Sequence, residues 1–291
     1  MKIGIYKMSE DEYHADPCPT PSLSSHAIVT LLSKSPLHAW HENSRLNPDW
    51  EPDDDSKFDV GTAAHKLILE GIDKIHVVDA DSWRTKAAKE EAQEAREQGL
   101  IPLLSHVAAD VRKMVTMAHK AIADCPELCG LTIDDFDPEM TLLWKEEDVW
   151  CRARPDLLHK QNKLILDLKT SPASCAPADA TRRVLDGMQA YVQAAWYRRG
   201  LMAITGIDAP FVYLCQESNA PFACSLINCT PGYLAIGESK ITVALSIWRE
   251  CVRTGVWPSY PSTFYNPDLK PWVERDWIER LNSEVTENDS N

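Results

Sequence analysis

Three residues near the middle of the chain have the types and spacing that metal-assisted hydrolysis of a phosphodiester requires. Asp156 follows Pro155, and Asp167 and Lys169 come after a short intervening segment. Because side chains alternate along a β-strand, Asp167 and Lys169 would lie on one face, roughly 6–7 Å apart. The opposite face would be apolar, since it carries Leu164, Leu166 and Leu168. A hairpin from Asp156 to Asp167 would bring both carboxylates to neighbouring strand ends.

Two carboxylates that lie close together repel each other, and a hard divalent cation such as Mg²⁺ or Mn²⁺ relieves that repulsion. The cation would polarise a phosphate oxygen and lower the pKa of a bound water. The Lys169 ammonium could orient the attacking hydroxide and neutralise charge in the transition state. The alternative is a surface hairpin with a solvated Asp–Lys pair, because exposed ion pairs are common.

The elements that must position these residues are predicted from residue patterns along the chain. Residues 140–144, 149–154 and 164–168 are typical of three consecutive antiparallel strands, with polar turns between them. A further strand pair is predicted at 211–215 and 222–226, and the main helices at 60–69, 82–98, 105–123, 183–202 and 230–253. This order predicts an α/β fold with a mixed sheet.

The length and composition suit one soluble globular domain. The chain has 291 residues, of which 44% are hydrophobic, and no apolar run is long enough to span a membrane. We expect one domain over residues 1–282, with a helical N-terminal part (1–125), a core at about 126–258 and a disordered tail (283–291). The first residues do not resemble a signal or transit peptide, so a cytoplasmic protein is expected.

The nine cysteines are expected to be free thiols that pack in the interior. An odd number without a secretory signal argues against a disulfide framework. An iron–sulfur cluster is the alternative, but it needs thiolates in tight groups. The closest pairs are Cys125 with Cys129 and Cys224 with Cys229, and neither is a CxxC pair.

Four segments in this order resemble the motifs of RecB-type PD-(D/E)xK nucleases. They are residues 61–65, 154–156, 167–170 and 193–197. Residues 9–14 and 151–156 add a closer resemblance to the RecE-like (exonuclease VIII-like) nuclease domains of phages and prophages. The resemblance extends from about residue 9 to about residue 258, and it implies a restriction-endonuclease-like core with a central mixed β-sheet flanked by helices.

The resemblance also implies roles for individual residues. It makes Lys169 the catalytic lysine, and it assigns Gln193 and Tyr197, which share a helix face, to the support of the active site. The implied metal ligands are His65, Asp156, Asp167 and the backbone carbonyl of Leu168. Without the resemblance, Tyr197 would be an ordinary core residue and His65 a packed or solvated imidazole.

Several arginines could contact DNA phosphates, although paired arginines on a helix most often form only a charged face. The candidates are Arg152, Arg154, Arg182, Arg183 and Arg198. The net charge of −14 opposes tight non-specific DNA binding. A local basic groove, or a ring of subunits around the duplex, would reconcile this charge with a DNA substrate.

The activity that the resemblance implies is a Mg²⁺-dependent exodeoxyribonuclease acting on the ends of linear double-stranded DNA. The implied polarity is 5′ to 3′, leaving single-stranded tails for recombination of phage DNA in the bacterial cytoplasm. A ring-like homo-oligomer and a RecT-like single-strand annealing partner are also implied. Two alternatives stay open: a catalytically inactive DNA-end-binding or recombination accessory protein, and an endonuclease of the same superfamily. Because every expected catalytic residue is present, the active forms are favoured.

Overall fold

The computed structural model describes residues 1–51, 60–71 and 74–288. Contacts divide the chain into two units, Met1–Ser259 and Tyr260–Asn291, whereas the sequence predicts one domain that reaches residue 282. The second unit contains a helix from Pro271 to Asn288. This helix overlaps the segment from residue 283 that the sequence predicts to be disordered, and residues 289–291 lie outside the described part of the chain.

The helices of the first unit begin at recognisable sequence signals. Ser35 caps the third helix by accepting a hydrogen bond from His38 N, with Pro36 in the first turn. The first-unit helices are α1 (Glu10–His14), α2 (Ser25–Ser33), α3 (Pro36–His41), α4 (Val60–Glu70), α5 (Lys86–Glu97), α6 (Ser105–Ala123), α7 (Pro177–Ala180), α8 (Tyr191–Thr205) and α9 (Pro231–Thr254). The helices predicted at 105–123 and 230–253 are confirmed, and α8 follows a π-helical segment, Thr181–Gly187.

Three sheets organise the described strands. The strands are β1 (Gly4–Lys7), β2 (Ile75–Val78), β3 (Ile101–Leu104), β4 (Phe136–Pro138), β5 (Met140–Glu146), β6 (Val149–Ala153), β7 (Leu157–His159), β8 (Ile165–Ser171), β9 (Phe211–Glu217) and β10 (Cys224–Asn228). The central sheet has the order β10-β9-β8-β7-β4, in which only β8 and β9 run parallel. The others are an antiparallel sheet, β1-β5-β6, and a parallel pair, β2-β3. The fold is thus α/β with a restriction-endonuclease-like mixed sheet flanked by helices.

The predicted run of three neighbouring strands is wrong in one respect. β6 pairs with β5 in the antiparallel sheet, whereas β8 lies in the central sheet and pairs with the additional strand β7. Pro155 lies between β6 and β7, and proline cannot donate a ladder hydrogen bond. The chain therefore leaves the antiparallel sheet at Pro155 and enters the central sheet at Leu157.

Strand β8 separates two hydrophobic clusters. Leu166 and Leu168 pack into a cluster that contains buried residues of α4 and α6. Ile165 packs into the other cluster, which contains buried residues of α8 and α9. Because side chains alternate, Asp167 and Lys169 lie on the Ile165 face, beneath α8. In the described ranges, no helix is long and apolar enough to cross a membrane.

Candidate active site

The β7–β8 hairpin brings Asp156 to the middle of β8. Leu157 pairs with Leu166, so the residue that precedes β7 lies beside the central part of β8. Asp156 Oδ2 accepts a hydrogen bond from the backbone N–H of Leu168 at 2.7 Å. The carboxylate is therefore held by the backbone of the strand that carries Asp167 and Lys169.

Asp167 is enclosed, with only 1% of its side chain exposed. The Lys169 ammonium donates to Oδ1, and Gln193 Nε2 donates to Oδ2 at 2.8 Å. Burial, together with the nearby charge of Asp156, raises the pKa of Asp167 to about 6. Ionisation of this carboxylate is therefore disfavoured, and additional positive charge beside it would favour ionisation.

Asp156 is held differently from Asp167, through His65 of α4. His65 Nε2 lies 3.0 Å from Asp156 Oδ2. Burial opposes ionisation of Asp156, but the charge and hydrogen bond of His65 and the charge of Lys169 outweigh it and lower the pKa of Asp156. Burial likewise opposes the charged imidazole, and the charge of Asp156 raises the pKa of His65 above its usual value.

Lys169 is the member of this cluster that lines a cavity. Burial disfavours its ammonium, but the carboxylates of Asp167 and Asp156 raise the pKa of Lys169, so the side chain stays protonated. About 26% of the side chain is exposed. It lines a cavity of about 460 Å³ together with Gln193, Tyr197, and Tyr13 and Trp50 on segments near the N-terminus.

The residue types of this cluster are those that a hard divalent cation binds. Two carboxylates and one imidazole lie near one another, and burial and the charge of Asp156 disfavour ionisation of Asp167. In the described part of the chain, no group of three His, Cys, Asp or Glu side chains is arranged to hold a metal. Lys169 and His65 instead contact the carboxylates directly. The carbonyl of Leu168 as a ligand stays a prediction; its N–H binds Asp156.

Gln193 and Tyr197 lie on the face of α8 that covers the site. Tyr197 is buried, and burial raises its pKa well above the usual value, so the hydroxyl stays protonated. It also contacts the Gln193 side chain. Gln193 and Tyr197 thus share one face of α8, as their four-residue spacing predicts, and Gln193 connects that face to Asp167 by a hydrogen bond.

The candidate DNA-binding arginines all contact other protein groups. Arg152 is buried and binds Asp16 at 2.9 Å and Ser22 Oγ at 2.6 Å. The others bind protein groups as follows: Arg154 to Glu139, Arg182 to Asp179, Arg183 to the Ser174 carbonyl and Cys175, and Arg198 to Asp208. Arg152 therefore braces the cavity wall, and phosphate contacts of these arginines stay predictions.

All nine cysteines are free, and most are buried. Burial raises the pKa of several thiols, among them Cys18 to about 11 and Cys215 to about 12. Such thiols are poor nucleophiles and poor metal ligands at neutral pH. Their place in the structure is that of small apolar core residues.

Sequence reasoning missed two residues that support the site. Asp16 is buried and accepts hydrogen bonds from Ser22 N and Ser22 Oγ in addition to its ion pair with Arg152. The turn-rich run that follows Asp16 is a signal for an aspartate that organises its own loop. Tyr213 of β9 lies beside Asp167. In the sequence it is one aromatic residue of a predicted strand, and nothing there indicates a contact for its hydroxyl.

Comparison with known proteins agrees with this architecture. A family model described as a PDDEXK-like domain of unknown function (DUF3799) matches residues 25–263. The fold is similar to the crystal structure of a "Putative exonuclease" from Eubacterium rectale, with a TM-score of 0.56 and 13% identity over 91% of this chain and 97% of that chain.

A second solved structure, SSO0001, matches 70% of this chain and 96% of its own length at 13% identity. Its TM-score of 0.25 is too low to support an argument about the fold. Among curated proteins, no sequence matched the chain.

Proposed function

Because the chain belongs to the PDDEXK-like family of unknown function (DUF3799), we propose that it is a divalent-metal-dependent deoxyribonuclease. The observation that carries this proposal is the convergence of Asp156, Asp167 and a charged Lys169, whose side chain lines an accessible cavity. The carboxylates supply hard oxygen ligands, and the amine supplies positive charge where a phosphate would bind.

Each residue of the site has a part in this chemistry. His65, Asp156 and Asp167 would hold Mg²⁺ or Mn²⁺, which would supply Lewis acidity for the phosphate and the attacking water. Lys169 stabilises the additional negative charge of the transition state. Gln193 holds the Asp167 carboxylate in place through its 2.8 Å hydrogen bond.

We propose further that the substrate is an end of linear double-stranded DNA. The similar fold of the Eubacterium rectale protein named "Putative exonuclease" supports an exonuclease here. The polarity of 5′ to 3′, the single-stranded tails, the ring-like homo-oligomer and the RecT-like partner rest on the sequence resemblance.

The test is the digestion of matched linear and covalently closed circular DNA by the purified protein, with Mg²⁺ or with EDTA. We expect Mg²⁺ to permit degradation of the linear DNA but not of the closed circle, and EDTA to prevent it. If digestion runs from 5′ to 3′, a label at a 5′ end should be released earlier than a label at a 3′ end. Cleavage of the closed circle would replace the exonuclease with an endonuclease.

Absence of cleavage on every substrate, with DNA ends still bound, would support the inactive accessory protein instead. The Lys169→Ala variant, purified in the same way, is the control for contaminating nucleases. Light scattering of the full chain measures the expected oligomer, and a monomer would contradict the proposed ring.

A further inference from the structure

We propose that Tyr213 is a positioning residue, whose hydroxyl orients the Gln193 amide so that Gln193 can hold Asp167. This inference rests on the proposed nuclease function for its effect on cleavage, but the contact itself does not. Tyr213 lies on β9 opposite Asp167 in the parallel ladder. Its side chain is completely buried, so any influence on a substrate must pass through other residues.

The Tyr213 hydroxyl lies at the start of helix α8. Its single proton is shared between two acceptors, the Ala190 carbonyl oxygen at 2.7 Å and Gln193 Oε1 at 3.1 Å. Ala190 is the residue that immediately precedes α8. One hydroxyl therefore ties the first turn of α8 and the end of the Gln193 side chain to the central sheet.

The two ends of the Gln193 amide are not interchangeable at this place. An ionised carboxylate only accepts hydrogen bonds, so Asp167 requires the Nε2 end of Gln193. A rotation of the amide by half a turn would place Oε1 against Asp167 Oδ2, where two acceptors repel each other. The Tyr213 hydroxyl shares its proton with Oε1 and so supports the orientation that Asp167 needs.

The same tyrosine also lies beneath the catalytic amine. Lys169 Nζ is 5.5 Å from the centre of the Tyr213 ring, a distance at which the ring face attracts a cation. Phenylalanine keeps the ring and removes only the hydroxyl. Tyr213→Phe therefore leaves the ring beneath Lys169 and removes only the hydrogen bonds to Gln193 and Ala190.

The experiment is a double-mutant cycle on the full chain with Tyr213→Phe, Gln193→Ala and the combined variant. We expect Tyr213→Phe to lower kcat about tenfold with little change in KM, because one hydrogen bond that positions the Gln193 amide is lost. The combined variant should be no slower than Gln193→Ala alone, because we propose that the hydroxyl affects cleavage through that amide and not through the Ala190 carbonyl.

Tyr191→Phe is the matched control. It also removes one hydroxyl from the same hydrophobic cluster, and that hydroxyl binds Lys240 Nζ at 2.7 Å, away from Asp167. We expect its kcat to equal that of the unmodified protein. An unchanged kcat in Tyr213→Phe, or losses that simply add in the combined variant, would overturn the proposal.

A second measurement does not depend on cleavage. In protein labelled with ¹⁵N-glutamine, the side-chain amide signal of Gln193 is identified by its loss in Gln193→Ala. We expect Tyr213→Phe to shift this signal and speed its hydrogen exchange, and Tyr191→Phe to leave it unchanged. An unshifted, equally protected signal in Tyr213→Phe would refute the positioning role even if the protein cleaves no DNA. A shifted signal in a protein without cleavage would refute the nuclease proposal alone.

Discussion

The two carboxylates of the candidate site lie on adjacent strands, yet their surroundings shift their pKa values in opposite directions. Asp156 is held by His65 and by the Leu168 N–H, and its pKa is lowered despite burial. Asp167 is enclosed beneath α8, and burial and the charge of Asp156 raise its pKa to about 6. The sequence shows two aspartates, and the structure favours the ionised form of Asp156 and disfavours the ionised form of Asp167.

This difference separates stability from function within one site. The surroundings of Asp156 stabilise its charge in the folded protein, so this residue supports the fold. Burial and the charge of Asp156 disfavour the ionised form of Asp167 in the folded protein even though Lys169 contacts it, as is common for residues that are kept for activity. Variants that alter one aspartate or its neighbours can break or sharpen this contrast.

The largest expected effect comes from removing the Lys169 ammonium, whose charge acts on both carboxylates. Lys169→Ala should lower the rate of DNA cleavage at least 10²- to 10³-fold, roughly the loss seen for a group that stabilises transition-state charge. End-labelled duplex DNA with Mg²⁺ measures it, and circular dichroism checks folding. Lys113→Ala, on the exposed face of α6, is the matched control, and full activity in Lys169→Ala would remove the lysine from the mechanism.

Metal affinity is the next contrast. Asp167→Asn should weaken Mg²⁺ or Mn²⁺ binding roughly 10- to 100-fold, because one anionic oxygen ligand is lost. Asp156→Asn should weaken it by a similar factor. Titration calorimetry of each variant measures both, and an unchanged affinity in either variant would exclude that aspartate as a ligand.

In EDTA, the same two substitutions should change thermal stability in opposite directions. Asp167→Asn removes an ionised group that the fold disfavours, so Tm should rise, by about 2–4 °C for each kcal/mol relieved. Asp156→Asn removes the ion pair with His65, so Tm should fall. Scanning calorimetry without metal provides the comparison, and a fall in both variants would show that the repulsion at Asp167 is already relieved within the protein.

The smallest expected effect is the pH dependence of the Tm difference between Asp167→Asn and the unmodified protein. The pKa of Asp167 is about 6 in the folded protein and about 3.9 in an unfolded chain. As pH falls through 6, the folded unmodified protein binds a proton that the unfolded chain does not bind, so folding gains stability. The Tm advantage of Asp167→Asn should therefore shrink between about pH 7 and pH 5, and a constant advantage would contradict the raised pKa.

The local elements were largely predictable from the sequence. Ser35-Pro36 correctly indicated a helix start, and alternation correctly separated Asp167 from the apolar face of its strand. The pairing of the strands was less predictable, because β7 has only three residues and follows Pro155. A strand so short has no periodic signal of its own, and a register with β8 depends on contacts made elsewhere.

The partners of charged side chains were beyond the sequence. Arg152 was a candidate for phosphate binding, but it binds Asp16, which is 136 positions away in the numbering. Tyr213 was one apolar residue of a predicted strand, and its hydroxyl contacts Gln193. Ion pairs and hydrogen bonds between distant segments leave no periodic pattern in a single sequence.

By itself, the sequence determined which side chains share a face of β8 and which chemical groups are available, because these follow from the two-residue period of a strand. Only the tertiary structure decided that His65 of α4 and Gln193 of α8 approach the two aspartates from separate helices. It also decided which aspartate ionises easily. Burial and the distances to neighbouring charges set a pKa, and both are properties of the folded chain.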